Sequence, residues 1–186
     1  MDLAVHQRKL LGLIRDTYQV HPDDDAYIHG VAHSKDLKEA RRNVFMWRIF
    51  VLERTAPLTF TYLKRRHLLE AALSTFIQQE NISPFRETQA PAFLEAMGHH
   101  TDRLVASVAQ FELALMKVKQ GAPETHVVTW DIEPHALLKS LVTDLPLEGV
   151  PREGNYQIIV SRDVPSHFQI VSIETADENR NTYRGD

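Results

Sequence analysis

The chain has 186 residues, no cysteine and a net charge of −4 with its histidines neutral. Its 43% hydrophobic and 25% charged residues are typical of a folded globular protein and exclude a disordered or collagen-like chain. The lack of cysteine excludes disulfides, thiolate nucleophiles and cysteine-ligated metals, and it favours the reducing cytoplasm. The apolar run Leu10–Ile14 is too short for a signal peptide, and no run is long enough to span a membrane. We therefore expect a cytoplasmic protein with no membrane partner.

The N-terminal two thirds of the chain have helical periodicity, which ends at 121–123. An amphipathic helix comes first, followed by a polar loop over 21–34 and a central helix over 35–54. Apolar residues at alternating spacings of three and four predict the buried stripe of that central helix: Leu37, Ala40, Val44, Trp47 and Val51.

Several shorter helices are predicted after the central one. Pro57 ends the central helix, because proline lacks an amide hydrogen and clashes with the preceding turn. A short helix over 60–63 and another over 66–79 follow, and the second stops at a break over 81–84. A further short helix covers 93–97 and is closed by a glycine.

The clearest helix is predicted over 102–120, where start and stop signals agree. Thr101 is its expected N-cap, and Gly121 its expected C-cap. One buried stripe is predicted from spacings of four and three: Leu104, Val108, Phe111, Leu115 and Val118.

After residue 123 the apolar residues fall into short alternating runs that predict strands. The first run covers 127–132, and a short helix begins at Pro134. Runs over 156–161 and 168–174 predict an antiparallel hairpin. The fold class is therefore α+β, a multi-helix body followed by a small C-terminal antiparallel sheet of about three strands with one short helix.

These patterns divide the chain into three parts. Residues 1–121 form the helical body, 122–175 the β-rich part, and 176–186 a polar tail that we expect to be mobile. Charge follows the same division, because residues 35–67 contain nine basic and three acidic residues, whereas 122–186 contain five basic and eleven acidic ones. The two parts should therefore prefer different partners.

The basic segment raises the hypothesis of a regulatory protein that binds nucleic acid. Its stripe could neutralise phosphates and consists of Lys38, Arg41, Arg42, Arg48 and Lys64 to Arg66. The acidic total and the lack of an aromatic RNA-binding motif favour a solvated face or an acidic protein partner instead.

No catalytic set is visible in the sequence. There is no GxSxG elbow and no glycine-rich phosphate loop. His29 and His33 have the spacing of two metal ligands on one helical face, which keeps a histidine-ligated metal enzyme as a third hypothesis. Gly30 and the lack of a third ligand favour an exposed loop, so we expect no metal and no cofactor in this chain.

The predicted sheet offers the best binding site, because a strand at its edge presents unpaired amide and carbonyl groups that an extended peptide can pair with. The acidic surroundings would favour a peptide rich in Lys and Arg. The predicted peptide-binding strand consists of Phe168, Gln169, Ile170, Val171, Ser172 and Ile173. The strand over 127–131 is the other possible edge, and either edge could instead be covered by the helical body or the tail.

Four short motifs give the chain a family resemblance over about residues 40–175. They are Asn43–Val44–Phe45 with Trp47, Pro57–Leu58–Thr59, Ser83–Pro84–Phe85, and Phe111–Glu112 with Val118 to Gly121. These motifs resemble the partner proteins that accompany multinuclear non-haem iron oxidases in peptide-modifying gene clusters, a family formerly labelled DNA-binding. Within it, the size and the strand-forming C-terminal part are most similar to the MbnC-like partner subunits of methanobactin biosynthesis.

The resemblance implies a division of labour between two proteins. The iron and the oxidative chemistry would belong to a separate barrel-fold oxidase, with which this chain would form a heterodimer. This chain would be non-catalytic and would bind the leader of a precursor peptide. The implied joint reaction is the oxygen-dependent oxidation of peptide cysteines to oxazolone and thioamide groups, which yields a copper-chelating peptide.

Overall fold

A computed structural model describes residues 3–78 and 86–173. Its helices are α1 (Leu3–Arg15), α2 (Ala26–Ala32), α3 (Lys35–Thr55), α4 (Pro57–Arg65), α5 (Leu69–Gln78), α6 (Arg86–Met97), α7 (Arg103–Lys119) and α8 (Pro134–Thr143). Its strands are β1 (His126–Ile132), β2 (Glu153–Val160) and β3 (Phe168–Ser172). This order confirms the predicted α+β class, with α8 as the short helix inserted between β1 and β2. None of the helices in the described ranges is both long and apolar enough to cross a membrane.

Local capping explains where several helices begin. The Ser34 side chain accepts the Leu37 amide at the start of α3, and Pro57 opens α4 at a position where no amide is needed. The N-cap of α7 is Asp102 rather than the predicted Thr101. The Asp102 carboxylate accepts hydrogen bonds from the amides of Leu104 and Val105. The predicted break over 81–84 and the predicted tail lie outside the described residues.

The prediction of a polar loop over 21–34 was wrong, because α2 lies inside it. The Asp25 carboxylate accepts the Ile28 amide at 2.9 Å and so caps the helix. Ile28 is fully buried in a small apolar cluster with Leu13 and Leu37. A glycine inside a helix, such as Gly30 in α2, lowers the stability of the helix by about 1 kcal/mol relative to alanine. The burial of the Ile28 side chain offsets that loss.

The predicted buried stripe of α3 was only partly right. Leu37 and Val51 are buried as expected, but Trp47 is 49% exposed. Arg48 takes a buried position in its place, with its guanidinium 5.7 Å from the centre of the Phe76 ring. A long aliphatic stem and a cation–π contact allow Arg48 to face the core. The buried side of α3 therefore includes Arg48 and excludes Trp47.

One hydrophobic core joins the helices to the sheet. The sheet is antiparallel in the order β1-β2-β3, and its inner face packs on α7. The predicted alternation in β1 holds, since Val128 and Trp130 are buried while Val127 is exposed. Helix α7 also packs on α4 and α6, and its Phe111 ring meets the Phe168 ring of β3 edge-on at 5.3 Å. This helix therefore holds β3 in place relative to the helical body.

The buried carboxylate of Glu112 on α7 caps the first turn of α4. The Leu58 amide donates to Glu112 Oε1 and the Thr59 amide donates to Glu112 Oε2, both at 2.8 Å. Ala56, which precedes the helix, has no polar side chain to accept these amides, and Pro57 has no amide hydrogen. A helix leaves its first amides without internal acceptors, so Glu112 satisfies the donors that α4 cannot satisfy itself.

Replacing this carboxylate should destabilise the fold. Glu112→Ala leaves two buried amides without an acceptor, and we expect the free energy of unfolding to fall by roughly 3 kcal/mol. Urea denaturation measures the change. The control is Glu95→Ala on the exposed face of α6, which should stay within about 0.5 kcal/mol of the parent chain. Equal effects of the two variants would contradict the capping role.

The same carboxylate should give stability an unusual dependence on pH. Burial raises the pKa of Glu112, and the amides of Thr59 and Leu58 only partly oppose this rise. Between its ordinary value of 4.5 and the raised pKa, the folded chain binds more protons at this site than the unfolded chain. Its contribution to stability is therefore greatest at low pH and falls as the pH rises through that window.

Glu112→Gln removes this titration while keeping the side-chain shape. We expect the unfolding free energy of the parent chain, minus that of the variant, to decrease as the pH rises from about 4 to about 8. Urea titrations at several pH values measure this difference. A difference that is constant or that increases with pH would show that the folded state does not raise this pKa.

Candidate functional site

All six residues predicted to bind a peptide lie at one edge of the sheet. Strand β3 covers 168–172, and it pairs with β2 on one side only among the described residues. Ile173 follows the strand and continues its pairing, because its amide donates to the Asn155 carbonyl oxygen at 2.8 Å. The predicted site is therefore a contiguous edge segment.

The hydrogen-bond register shows which backbone groups of β3 face outward. The Ser161 amide donates to the His167 carbonyl oxygen, and the Ile173 amide donates to that of Asn155. In an antiparallel pair every second residue bonds to the partner strand. The odd-numbered residues over 167–173 therefore bond to β2, and the amides and carbonyls of the even-numbered residues point away from it. Those residues are Phe168, Ile170 and Ser172.

The side chains of β3 divide between the two faces of the sheet. Phe168 and Ile170 lie on the inner face and pack against the core. Gln169 and Val171 lie on the outer face, and Ser172 is exposed at the end of the strand. An added strand would thus pair with a neighbour that is anchored by two core side chains and whose outward backbone groups have no partner in β2.

The opposite edge, β1, is partly occupied by the helical body. The same register leaves the backbone groups of Val127 and Thr129 pointing outward. The Ser107 hydroxyl of α7 donates to the Thr129 carbonyl oxygen at 2.9 Å, so one of these acceptors is already satisfied. A groove of about 240 Å³ remains between α7 and the first residues of β1, next to His126. Geometry therefore favours β3 over β1 as the edge that accepts a full-length strand.

The described residues were compared with the side-chain groupings that hold metal ions in proteins. Among residues 3–78 and 86–173, no three His, Asp or Glu side chains are grouped so that they could hold a metal ion. His29 and His33 lie one turn apart at the end of α2, but His33 Nδ1 bonds to the His29 carbonyl oxygen at 2.8 Å.

No protein-family model matches the chain, and no curated protein or solved structure matches it.

Three cations of the basic stripe suggested by the sequence, Arg41, Arg48 and Arg65, are paired or buried. Arg41 pairs with Asp16 at 2.8 Å, and Arg65 pairs with Asp144 at 3.0 Å and also donates to the Ser140 hydroxyl. Arg48 is buried. These cations are used inside the molecule, which reduces the charge available to a nucleic acid backbone.

Sequence reasoning missed the structural roles of Ser107 and Glu112. Ser107 carries no pattern, because a serine within a helix is equally compatible with a solvent-facing position. Glu112 looks like an ordinary surface glutamate until the first turn of α4 is placed beside it. Both roles depend on contacts between residues far apart in the sequence.

The register of β3 can be tested with proline, which removes one amide hydrogen. Ser172→Pro removes an outward-facing amide, so we expect a loss of stability below about 1 kcal/mol. Gln169→Pro removes an amide that bonds to β2, so we expect a loss of roughly 3 kcal/mol. Both parent side chains are exposed, and urea denaturation compares the variants directly. The reverse order of stabilities would show that the register is shifted by one residue.

Proposed function

We propose that this chain is a non-catalytic partner subunit that binds the leader of a precursor peptide and presents it to an iron-dependent oxidase. The observation that carries the proposal is the edge of β3, where the backbone groups of three residues point outward. The joint reaction would oxidise peptide cysteines to oxazolone and thioamide groups, as in methanobactin biosynthesis. Iron would reside in the partner, a barrel-fold multinuclear oxidase that forms a heterodimer with this chain.

Addition of a strand suits a leader peptide. The edge supplies two amides and two carbonyls for every four residues of an added strand, which gives affinity without demanding a particular sequence. Side chains of the peptide would alternate between the exposed outer face and the rim of the inner face. Such a site can hold a leader while the residues to be modified remain outside it.

Charge around the sheet favours a basic leader. Residues 122–173 contain seven acidic and three basic residues, whereas β3 itself contains no charged residue. Asp131 and Asp144 pair with arginines of the helical body, and the remaining acidic residues keep the net charge of this part negative. A negative field steers basic peptides toward the edge and weakens with salt.

Two of the motifs that carry the family resemblance meet in space. The Glu112 carboxylate on α7 bonds to the amides of Leu58 and Thr59 on α4. These two motifs are thus parts of one contact between α4 and α7. The oxidase partner is proposed from the resemblance of the motifs.

Reconstitution tests the proposal. We expect the purified oxidase to modify precursor peptide when this chain is present and to lose at least about tenfold in rate with Ser172→Pro, which removes one backbone donor and obstructs an added strand. Mass spectrometry of the peptide measures the rate. Equal modification by the oxidase in the absence of this chain would refute the proposed role.

The matched control is Val127→Pro, which removes the corresponding outward amide from the other edge. It should leave modification and peptide binding near the parent level. Loss of both with Val127→Pro and not with Ser172→Pro would move the peptide site to β1.

A further inference from the structure

The exposed face of α3 carries a row of side chains that the core does not use. The row has i, i+4 spacing, which forms a ridge along a helix of about 24 Å here. Its members, all exposed, are Lys38, Arg42, Met46, Phe50 and Arg54. Trp47 lies beside it and stacks on Phe50, with ring centres 5.7 Å apart and planes at 20°. We name these six residues the α3 ridge.

The centre of the ridge is apolar, its N-terminal end carries Lys38 and Arg42, and at its C-terminal end Arg54 is paired with Glu53. Met46, Trp47 and Phe50 are 52%, 49% and 48% exposed, which is unusual for large apolar side chains that lie together on one helix. Lys38 and Arg42 form no ion pair with any other described residue. Such a surface is complementary to a segment with apolar side chains at its centre and a carboxylate at the end that faces Lys38 and Arg42.

The aromatic geometry favours a protein over a nucleic acid. A base would bind by stacking on an open ring face. The Phe50 ring stacks beside Trp47, and the Arg54 guanidinium lies 3.9 Å from the Phe50 ring centre. Arg54 is itself near Glu53, at 3.8 Å. The Phe50 ring is therefore already paired with two side chains of its own helix, which leaves less of its face for a base to stack on.

The α3 ridge and the edge of β3 lie on different layers of the molecule. Helix α3 packs on α1, α2, α4, α5 and α6, whereas the sheet packs on α7. A protein bound to the ridge therefore does not have to displace a peptide bound to β3. This arrangement fits a subunit that contacts two partners at once.

We propose that the α3 ridge is the docking surface for the oxidase, which would present an apolar segment with Asp or Glu at the end that faces Lys38 and Arg42. This inference rests on the proposed function, because that function supplies the partner. Phe50 and Trp47 are the central anchors, and Arg42 and Lys38 set the orientation of the bound segment.

Binding of the purified oxidase to the full chain tests the ridge. Phe50→Glu should weaken binding at least about 30-fold, because it places a charge at the centre of the contact. Arg42→Glu should weaken binding and reduce its dependence on salt. The control is Val150→Glu, at a position that is 95% exposed and outside the ridge, which should bind like the parent. Phe50→Glu and Arg42→Glu should both keep parent-like circular dichroism and peptide binding.

The outcomes separate the two proposals. If the parent chain binds the peptide but not the oxidase, the proposed function and the ridge both fail. If the parent binds the oxidase and Phe50→Glu binds it equally well, only the ridge is overturned. Light scattering measures the oligomeric state of the chain without the oxidase. If the parent chain is a dimer and Phe50→Glu is a monomer, the ridge binds a second copy of this chain and the proposal is overturned. Loss of single-stranded oligonucleotide binding in Phe50→Glu, with oxidase binding intact, would also overturn it.

Discussion

Two adjacent residues of α7, Phe111 and Glu112, connect the parts of this molecule. The Glu112 carboxylate is buried and satisfies the first amides of α4, while the Phe111 ring packs edge-on against Phe168 of β3. Burying a carboxylate is costly unless hydrogen bonds offset the loss of water. The packing of α7 on α4 must therefore keep Glu112 within hydrogen-bond distance of the first amides of α4. The position of β3 follows from the same helix. The exposed edge of the sheet is thereby fixed relative to the helical body.

This arrangement separates the parts of the chain that would bind partners from the parts that stabilise it. The core lies between α3–α8 and the inner face of the sheet, and it contains most of the aromatic side chains. Among residues 3–78 and 86–173, two surfaces are left unpaired by this packing: the outward backbone of β3, which is uncharged, and the ridge on α3, which is apolar with Lys38 and Arg42 at its N-terminal end. A chain with a peptide surface and a protein surface is suited to bringing two partners together, and the catalytic groups would come from one of those partners.

Much of the architecture could be predicted from periodicity. Apolar residues at every second position, Val128 and Trp130 in β1 and Tyr156 and Ile158 in β2, predict the strands, and Pro57 marks the boundary between α3 and α4. The seven-residue helix α2 was missed because so short a helix has too few turns to show a period. Trp47 was placed in the core because large apolar side chains usually lie there, and Arg48 was not, because its contact with a ring of α5 has no sequence pattern.

The choice between sheet edges was beyond the sequence, because it depends on where α7 crosses the sheet and on the single bond from Ser107 to Thr129. Hydrogen exchange of the chain with and without precursor peptide, resolved to single amides, tests the edge most directly. We expect the amides of Ile170 and Ser172 to exchange rapidly in the chain without peptide and to become protected when peptide is added. Unchanged exchange at these amides, with new protection at Val127, would contradict the assignment of the peptide to β3.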